Sequence, residues 1–271
     1  LMIKKNGRDK NIYTVKQLLQ LAKEASGEFI PSDYIWEKNN RFYDAFRPSI
    51  EPIGFSSIDE LIEHRKYHLG RVRELFKKLD ILIFVMGQNE MWVHKDSGTI
   101  YPTAPGTIAG EYKEDIHGFT RASVPDIIKD FNEFQSTIHN LRDERILKTI
   151  LIVDPVPLTA TGSDEHILVS NTYSKSVLRA AAEQIASSSQ NIDYFPTYEI
   201  ITNPRLHSTS FCDELLNLRN ESIRSSMKYF PKDHQKSKVL NKRPSKIEET
   251  SDSNDDIEVQ CENYILDAFG K

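Results

Sequence analysis

The residues with the clearest catalytic potential are Gly87-Gln88-Asn89-Glu90, which directly follow the apolar run Asp80–Met86. A run that is apolar on both faces predicts a central parallel strand, and a glycine at its end lets the backbone approach a ligand closely. The amide N–H of Asn89 could then stabilise the oxyanion of an acyl-transfer reaction, where one donor is typically worth about 3 kcal/mol. An ordinary turn, which also favours Gly and Asn, explains the same residues. Both interpretations are compatible with the sequence.

A second segment that could contribute to a site follows the predicted strand Thr149–Val153. The chain breaks there at Asp154-Pro155-Val156-Pro157, crosses a polar loop, and is predicted to enter a helix at Tyr173-Ser174-Lys175. A strand followed by a polar loop and a helix is how an open α/β sheet forms a site at the carboxyl ends of its strands. We therefore expect both segments to meet at one edge of a parallel sheet.

Lys175 and Arg179 lie one helical turn apart near the predicted start of that helix. In this position they could bind a carboxylate, a phosphate or a sugar acid. Alternatively, Arg179 forms a structural ion pair with Glu199 or Asp154.

Histidines are the usual general bases, and three lie in predicted loops: His117, His166 and His207. Each of these three could equally be an inert surface residue. His64 and His68 have the spacing of metal ligands on a helix, but no third ligand lies near them in the sequence. We therefore interpret them as part of a solvated helix face and expect neither a bound metal nor a cofactor.

The remaining pattern alternates helices with apolar strands, which predicts a three-layer α/β/α sandwich on a mainly parallel sheet, similar to flavodoxin-like folds. Thr14, Ser57 and Ser123 are predicted helix caps, with Ser57-Ile58-Asp59-Glu60 as a capping box. The predicted helices are Asn11–Ala25, Ser57–Lys78, Val124–Leu141, Ser174–Ser187 and Glu221–Phe230, and Asp193–Pro196 is a predicted edge strand.

Two long stretches, Ser26–Phe55 and Trp92–Thr120, are predicted to be loops. Aromatic residues between Tyr34 and Phe46 could stack on a sugar ring or pack as a small core of their own.

The domain prediction assigns residues 1–231 to one α/β domain, residues 232–256 to a charged flexible linker, and residues 257–271 to a short terminal segment. Leu1 precedes Met2 and a helical pattern follows almost at once, so we expect the domain to be truncated at its N-terminus.

Composition narrows the function classes. A net charge of -5 over 271 residues argues against nucleic acid as a partner. The two cysteines do not form a metal-binding cluster, and they suit a reducing, cytoplasmic location. No apolar run approaches the roughly 18 residues of a membrane span. The sequence carries no signal for an oligomeric state.

Several short blocks together resemble one family. They are Asn11-Ile12-Tyr13-Thr14, Phe46-Arg47-Pro48, Gly87 with Glu90 and Trp92, Ala104-Pro105-Gly106, Pro155-Val156-Pro157-Leu158, Tyr173-Ser174-Lys175 with Leu178-Arg179, and Tyr194-Phe195-Pro196 with Tyr198-Glu199. This set, which covers most of the chain, resembles the GSCFA family, a branch of the SGNH or GDSL-like hydrolases. The G-x-N-E block is similar to the G-x-N-D block of that superfamily.

The resemblance implies an esterase or acyltransferase that acts on acylated carbohydrate. The carbohydrate would be either a small molecule or a polysaccharide. The resemblance also implies catalytic roles for Gly87, Asn89, Glu90 and Asp213, and His166 is a candidate for the general base. It implies substrate contacts from Trp92, Pro155, Ser174, Lys175, Arg179, Tyr198 and Glu199.

Two departures from the family pattern support an alternative. The expected serine motif is absent from the chain, so the nucleophile would lie upstream of Leu1. The late Asp-x-x-His pair is replaced by a region in which Asp213 and Glu214 are present but Leu216 or Asn217 occupies the histidine position. Asparagine cannot replace the histidine, because an amide does not act as a base near neutral pH. The alternative is a catalytically incomplete relative that binds a glycan or a protein partner in the same cleft.

Overall fold

The computed structural model describes residues 12–202. These residues form five helices and eight strands. The helices are α1 (Val15–Ser26), α2 (Ile58–Lys78), α3 (Val124–Leu141), α4 (Ile167–Ser188) and α5 (Thr197–Thr202). The strands are β1 (Ile35–Lys38), β2 (Arg41–Asp44), β3 (Ile81–Met86), β4 (Glu90–His94), β5 (Ile100–Tyr101), β6 (His117–Arg121), β7 (Lys148–Val153) and β8 (Ile192–Tyr194).

A parallel sheet of order β3-β7-β8 is flanked by helices, which confirms the predicted α/β/α architecture. Within the described residues β7 is the central strand, and β3 lies at an edge. Residues 12–202 therefore do not show the central position that was predicted for β3. β3 is apolar because helices cover the faces of the sheet. This cover makes an edge strand apolar as well as a central one.

The stretch Trp92–Thr120 is not a loop. It contributes to a second, antiparallel sheet of order β5-β4-β6, in which Trp92 lies opposite Tyr101 on one side and Phe119 on the other. The strands are only two to five residues long. The alternation of apolar and polar residues that marks a strand therefore covers too few positions to be recognised in the sequence.

A β-hairpin interrupts the other predicted loop, Ser26–Phe55. Strands β1 and β2 pair across Asn39 and Asn40, whose φ angles are 54° and 57°. Two consecutive residues in the left-handed region define the tight turn that matches the twist of a hairpin, and asparagine tolerates this region well. The Asn-Asn pair was therefore a usable hairpin signal in the sequence.

The helix caps were predicted largely correctly. Thr14 and Gln17 form a reciprocal capping box at the start of α1. The Ser57 side chain accepts a hydrogen bond from the Glu60 N–H, but the Glu60 carboxylate accepts from the N–H and hydroxyl of Ser56. In the predicted capping box, Glu60 would accept the N–H of Ser57. It accepts the N–H of Ser56 instead, one residue earlier in the chain.

Helix α4 begins seven residues before its predicted start. The His166 side chain caps it by accepting the Leu168 N–H at 3.3 Å. The apolar residues Leu168 and Val169 of its first turn are exposed, so the buried stripe that marks a helix in a sequence is missing there. Ser174 and Lys175 consequently lie well inside α4, so the predicted position of Lys175 and Arg179 near the start of this helix was wrong. Anion binding by these two residues stays a prediction.

Two hydrophobic clusters hold these elements. The larger joins α1, α2, α3 and α4 to the parallel sheet through residues such as Leu18, Phe76, Phe131, Leu151 and Leu178. The smaller cluster contains Trp36, Ala45, Tyr101 and Ala109, with Phe46 packed against it.

Candidate functional site

The site lies where β3 and β7 end side by side. Met86 is paired with Val153 in the parallel ladder, and the Asp154 N–H donates a hydrogen bond to the Met86 carbonyl oxygen at 3.0 Å. Gly87 and Asp154 therefore leave the sheet next to each other, as the predicted carboxyl-edge site requires.

Lys175 reaches this edge from within α4. Its side chain is 2% exposed, and Nζ donates to the Gly87 carbonyl oxygen at 2.8 Å. Burial lowers the pKa of Lys175, and the nearby Asp154 carboxylate partly opposes that shift. A buried ammonium that holds a loop carbonyl acts as an anchor for the loop, because a cation without a partner would be strongly disfavoured there.

Asn89 is also buried and is tied to two other elements. Its N–H donates to Ser174 Oγ at 3.2 Å, and its Nδ2 donates to the Ala122 carbonyl oxygen at 2.8 Å. The Ala122 N–H donates back to the Asn89 carbonyl oxygen at 2.8 Å. Among the described residues, the Asn89 Oδ1 atom is buried without a hydrogen-bond partner. An oxyanion could take the Asn89 N–H only by replacing Ser174 Oγ, and the oxyanion role of Asn89 stays a prediction.

Tyr13 completes the environment of the loop, and the sequence interpretation did not assign it to the site. Its carbonyl oxygen accepts the N–H of Gly87 at 2.8 Å and that of Gln88 at 3.4 Å. Tyr13 belongs to the block Asn11–Thr14 that carries part of the family resemblance. That block was the only signal in the sequence that pointed to it.

Glu90 binds the loop that precedes α4. Its Oε1 accepts the Thr161 hydroxyl at 2.7 Å, and its Oε2 accepts the Gly162 N–H at 3.3 Å. Gly162 packs against the Phe119 ring, where a Cβ atom would lie 2.5 Å from a ring carbon. Glu90 and Phe119 together hold this loop beside the second sheet.

A chain of hydroxyl groups extends from that contact. Ser163 Oγ lies 2.9 Å from Thr161 Oγ1 and 2.9 Å from Ser170 Oγ, and Ser170 donates to the Glu165 carboxylate at 3.3 Å. Arg121 pairs with the same carboxylate. This network fixes the polar loop between two acidic side chains, and its members were not predicted because each is an ordinary loop residue in the sequence.

Trp92 lies on β4, two residues after Glu90. Its ring is half-buried between Phe119, at 5.4 Å between ring centroids, and Tyr112, at 5.7 Å. In contrast, the aromatic residues Trp36 and Phe46 of the first predicted loop pack with Tyr101 in the smaller core. Packing, one of the two alternatives for that stretch, is confirmed for these two residues.

The histidines occupy different environments. His166 is exposed at the start of α4, eight residues before Ser174, which corresponds to about 12 Å along the helix axis. His117 is buried: its Nδ1 accepts the Lys113 N–H at 3.0 Å, and its Nε2 lies 3.3 Å from the Asp33 carboxylate. Both ring nitrogens are thus engaged, and we assign His117 a structural role.

His64 is not part of a solvated face. Its Nδ1 accepts an N–H of Arg47 at 3.3 Å, and its ring packs on Phe55. That interpretation of the sequence was wrong for His64, because Arg47 and Phe55, from the segment between β2 and α2, fold back onto this face of the helix. No group of three or more His, Cys, Asp or Glu side chains between residues 12 and 202 is arranged to hold a metal ion.

The other predicted contact residues have different surroundings. Pro155 is buried directly after Asp154. Arg179 pairs with Glu183 at 2.9 Å and lies over the Tyr194 ring at 4.3 Å. Tyr198 packs against the larger core, and Glu199 is exposed on α5. Asp213 and His207, together with the predicted linker and last helix, lie outside the described residues.

Within residues 12–202, none of the helices combines the length and apolar character that a bilayer span requires. Neither a comparison with curated proteins nor one with solved structures finds a match. The model of the GSCFA family matches residues 3–230, which is most of the 271-residue sequence. The chain therefore belongs to the GSCFA family.

Proposed function

We propose that this protein handles acyl esters, as an SGNH-type esterase or acyltransferase that acts on acylated carbohydrate in the cytoplasm. The observation that supports the proposal best is the fixed position of Gly87 and Asn89 at the carboxyl edge. Lys175 anchors the Gly87 carbonyl and Ser174 receives the Asn89 N–H, so this loop is held before any substrate binds. Such preorganisation is what an oxyanion site needs.

In this proposal Ser174 and Lys175 are positioning residues. Asn89 supplies its side-chain Nδ2–H to the tetrahedral intermediate once the substrate oxygen replaces the Ala122 carbonyl oxygen. His166 or a residue beyond Thr202 supplies the base, with Asp213 as its acidic partner. Trp92, Pro155, Arg179, Tyr198 and Glu199 are proposed to contact the substrate.

The alternative is a catalytically incomplete relative that binds a glycan or a protein partner. The hydrogen bonds of Asn89 favour it, because both of its amide groups already donate to protein atoms. The exposed position of His166 also favours it, since a general base must lie within hydrogen-bond reach of the group that it deprotonates.

A fluorophosphonate probe and a short-chain aryl ester distinguish the two proposals in the gene product, including any residues that precede Leu1. An esterase should label at one serine and hydrolyse the ester. Asn89→Ala should then reduce kcat by about 100- to 1,000-fold with little change in KM, as loss of an oxyanion donor does. Thermal unfolding of the variant shows whether the loss reflects misfolding.

Absence of both labelling and turnover in the folded protein would contradict the enzyme proposal. The binding alternative then predicts retention on acetylated polysaccharide, weakened by Trp92→Ala. Lys66→Met is a matched control for both experiments, because Lys66 is exposed on α2 and pairs only with Glu63 at 3.1 Å in the described structure.

A further inference from the structure

A cavity of about 80 Å³ lies between α1 and α2, and residues Gly87–Asn89 are not part of its lining. Most of its wall is aliphatic or aromatic, with Leu21, Leu69, Val72, Leu75 and Phe76 as the main contributors. Leu21 and Leu69 are only partly buried, so solvent reaches the wall of the cavity at these two residues. A small apolar group would therefore leave water on entering this cavity, which favours its binding.

One end of the cavity is polar and charged. Arg65 pairs with the Glu24 carboxylate and donates to Asp44 Oδ1 at 2.9 Å. Arg47 donates to Asp44 Oδ2 from Nε at 3.2 Å and from Nη2 at 3.1 Å. Gln20 Nε2 donates to Glu24 at 3.2 Å. These four charged side chains are almost completely buried, which is an unusual concentration of charge beside an apolar wall.

The protonation of Glu24 sets the net charge of this cluster. Burial raises the pKa of Glu24 to about 7, and the neighbouring Asp44 carboxylate adds to the shift, although Arg65 and Gln20 oppose it. When Glu24 is ionised, two guanidinium groups face two carboxylates. When it is protonated, the cluster has one surplus positive charge, located at the end of the apolar cavity.

We propose that the cavity binds a short aliphatic monocarboxylate, whose carboxylate takes the place of the Glu24 carboxylate at Arg65. Glu24 takes up one proton from solvent as the ligand binds, so the cluster stays neutral. The aliphatic tail lies along Val72, Leu75 and Phe76. This site is distinct from the Gly87 loop, and the inference does not depend on the proposed function.

The size of the cavity sets the length of the ligand. A water-sized group needs roughly 10–15 Å³ of such space, so a cavity of about 80 Å³ holds about five to eight non-hydrogen atoms. Butanoate and hexanoate fall in this range.

Other titratable groups face the same region. His68 lines the cavity from α2, and His64 accepts a hydrogen bond from Arg47 on the far side of the cluster. Lys23, next to Glu24 in sequence, pairs with Glu133 of α3 and faces away. His68→Gln and Glu24→Gln variants therefore separate the two residues that could take up a proton beside the ligand.

Calorimetric titration of the 271-residue chain with hexanoate tests the proposal. If only the Glu24-protonated form binds, the apparent Kd should be about tenfold weaker at pH 8 than at pH 6, because the competent fraction falls by that factor. The heats in two buffers should show uptake of close to one proton at pH 8. Glu24→Gln should bind with the same Kd at both pH values, and His68→Gln should keep the pH dependence.

Two further comparisons test the pocket itself. Val72→Phe should abolish binding by filling the cavity, and Leu69→Phe serves as a second filling variant if the first does not fold. Hexanol, which lacks the carboxylate, should bind at least tenfold more weakly than hexanoate at pH 6. Glu63→Gln, on the exposed face of α2, should behave as the unmodified protein.

Three results with the unmodified protein would overturn the proposal. These are no heat with hexanoate at pH 6, a Kd for the unmodified protein that does not change with pH, or equal affinities for hexanol and hexanoate. Unchanged hexanoate binding in folded Val72→Phe and Leu69→Phe would place the ligand elsewhere and would overturn it as well.

Discussion

The Nζ atom of Lys175 lies 2.8 Å from the carbonyl oxygen of Gly87, and this bond joins the middle of α4 to the loop after β3. Both groups are buried. The Gly87 N–H is held separately by Tyr13. The loop is thus fixed from two sides by residues that do not themselves have to touch a substrate.

Replacing Lys175 should destabilise the fold in two steps. Lys175→Met keeps most of the volume but leaves the Gly87 carbonyl oxygen without its donor, which should cost about 1–3 kcal/mol. Lys175→Ala also opens a cavity, and a total loss of about 2–5 kcal/mol is expected. Urea unfolding measures both values. Lys66→Met, at an exposed position, should change stability by less than about 0.5 kcal/mol.

The pH dependence of stability should identify the buried ammonium. Since the pKa of Lys175 is lowered in the folded state, the unfolded chain binds more protons between the folded pKa and the ordinary value of 10.5. The stability of the unmodified protein relative to Lys175→Met should therefore rise as the pH increases through that range. A difference that stays constant with pH would contradict the buried charge.

The contribution of Glu24 to stability should change with pH in the opposite direction, and at lower pH. Its pKa rises from 4.5 in the unfolded chain to about 7 in the folded protein, so the folded state binds more protons in this window. The stability of the unmodified protein relative to Glu24→Gln should be highest below pH 4.5 and fall by about 3 kcal/mol as the pH rises to 7. Unfolding at several pH values measures this, with the exposed Glu63→Gln as a control that should show no such slope.

Gly162 should not tolerate a side chain. An added Cβ would meet the Phe119 ring at 2.5 Å, so Gly162→Ala should displace the loop from Glu90 and cost about 1–3 kcal/mol. Phe119→Leu should relieve part of that loss, giving a coupling energy above about 0.5 kcal/mol in a double-mutant cycle. Additive effects would mean that the ring does not restrict the loop.

A glycine in open space provides the contrasting case. An added Cβ at Gly70, within α2, meets no atom within 4 Å. Gly70→Ala should therefore stabilise the protein by roughly 0.5–1 kcal/mol through the better helix propensity of alanine. Thermal unfolding measures the change, and a loss of stability would show that α2 is packed more tightly at this point.

Features that depend on neighbouring residues were predictable. Thr14 and Ser123 were recognised as caps because a capping side chain bonds within three residues of itself. Strands β3 and β7 were recognised from short apolar runs. Strands β4, β5 and β6 were missed because their short segments carry no clear alternation, and the start of α4 was missed because its first turn exposes Leu168 and Val169.

The family, the α/β class, the caps and the two strand ends that form the edge were determined by the sequence itself, since these depend on local patterns and on short recognisable blocks. Only the tertiary structure showed that Asn89 is bound to Ser174, 85 residues away, and Lys175 to Gly87, 88 residues away. It likewise brought Glu24, Asp44 and Arg65 together from three separate elements. Such contacts depend on how buried elements pack. The residues next to them in the chain carry no pattern that predicts which distant residue they will contact.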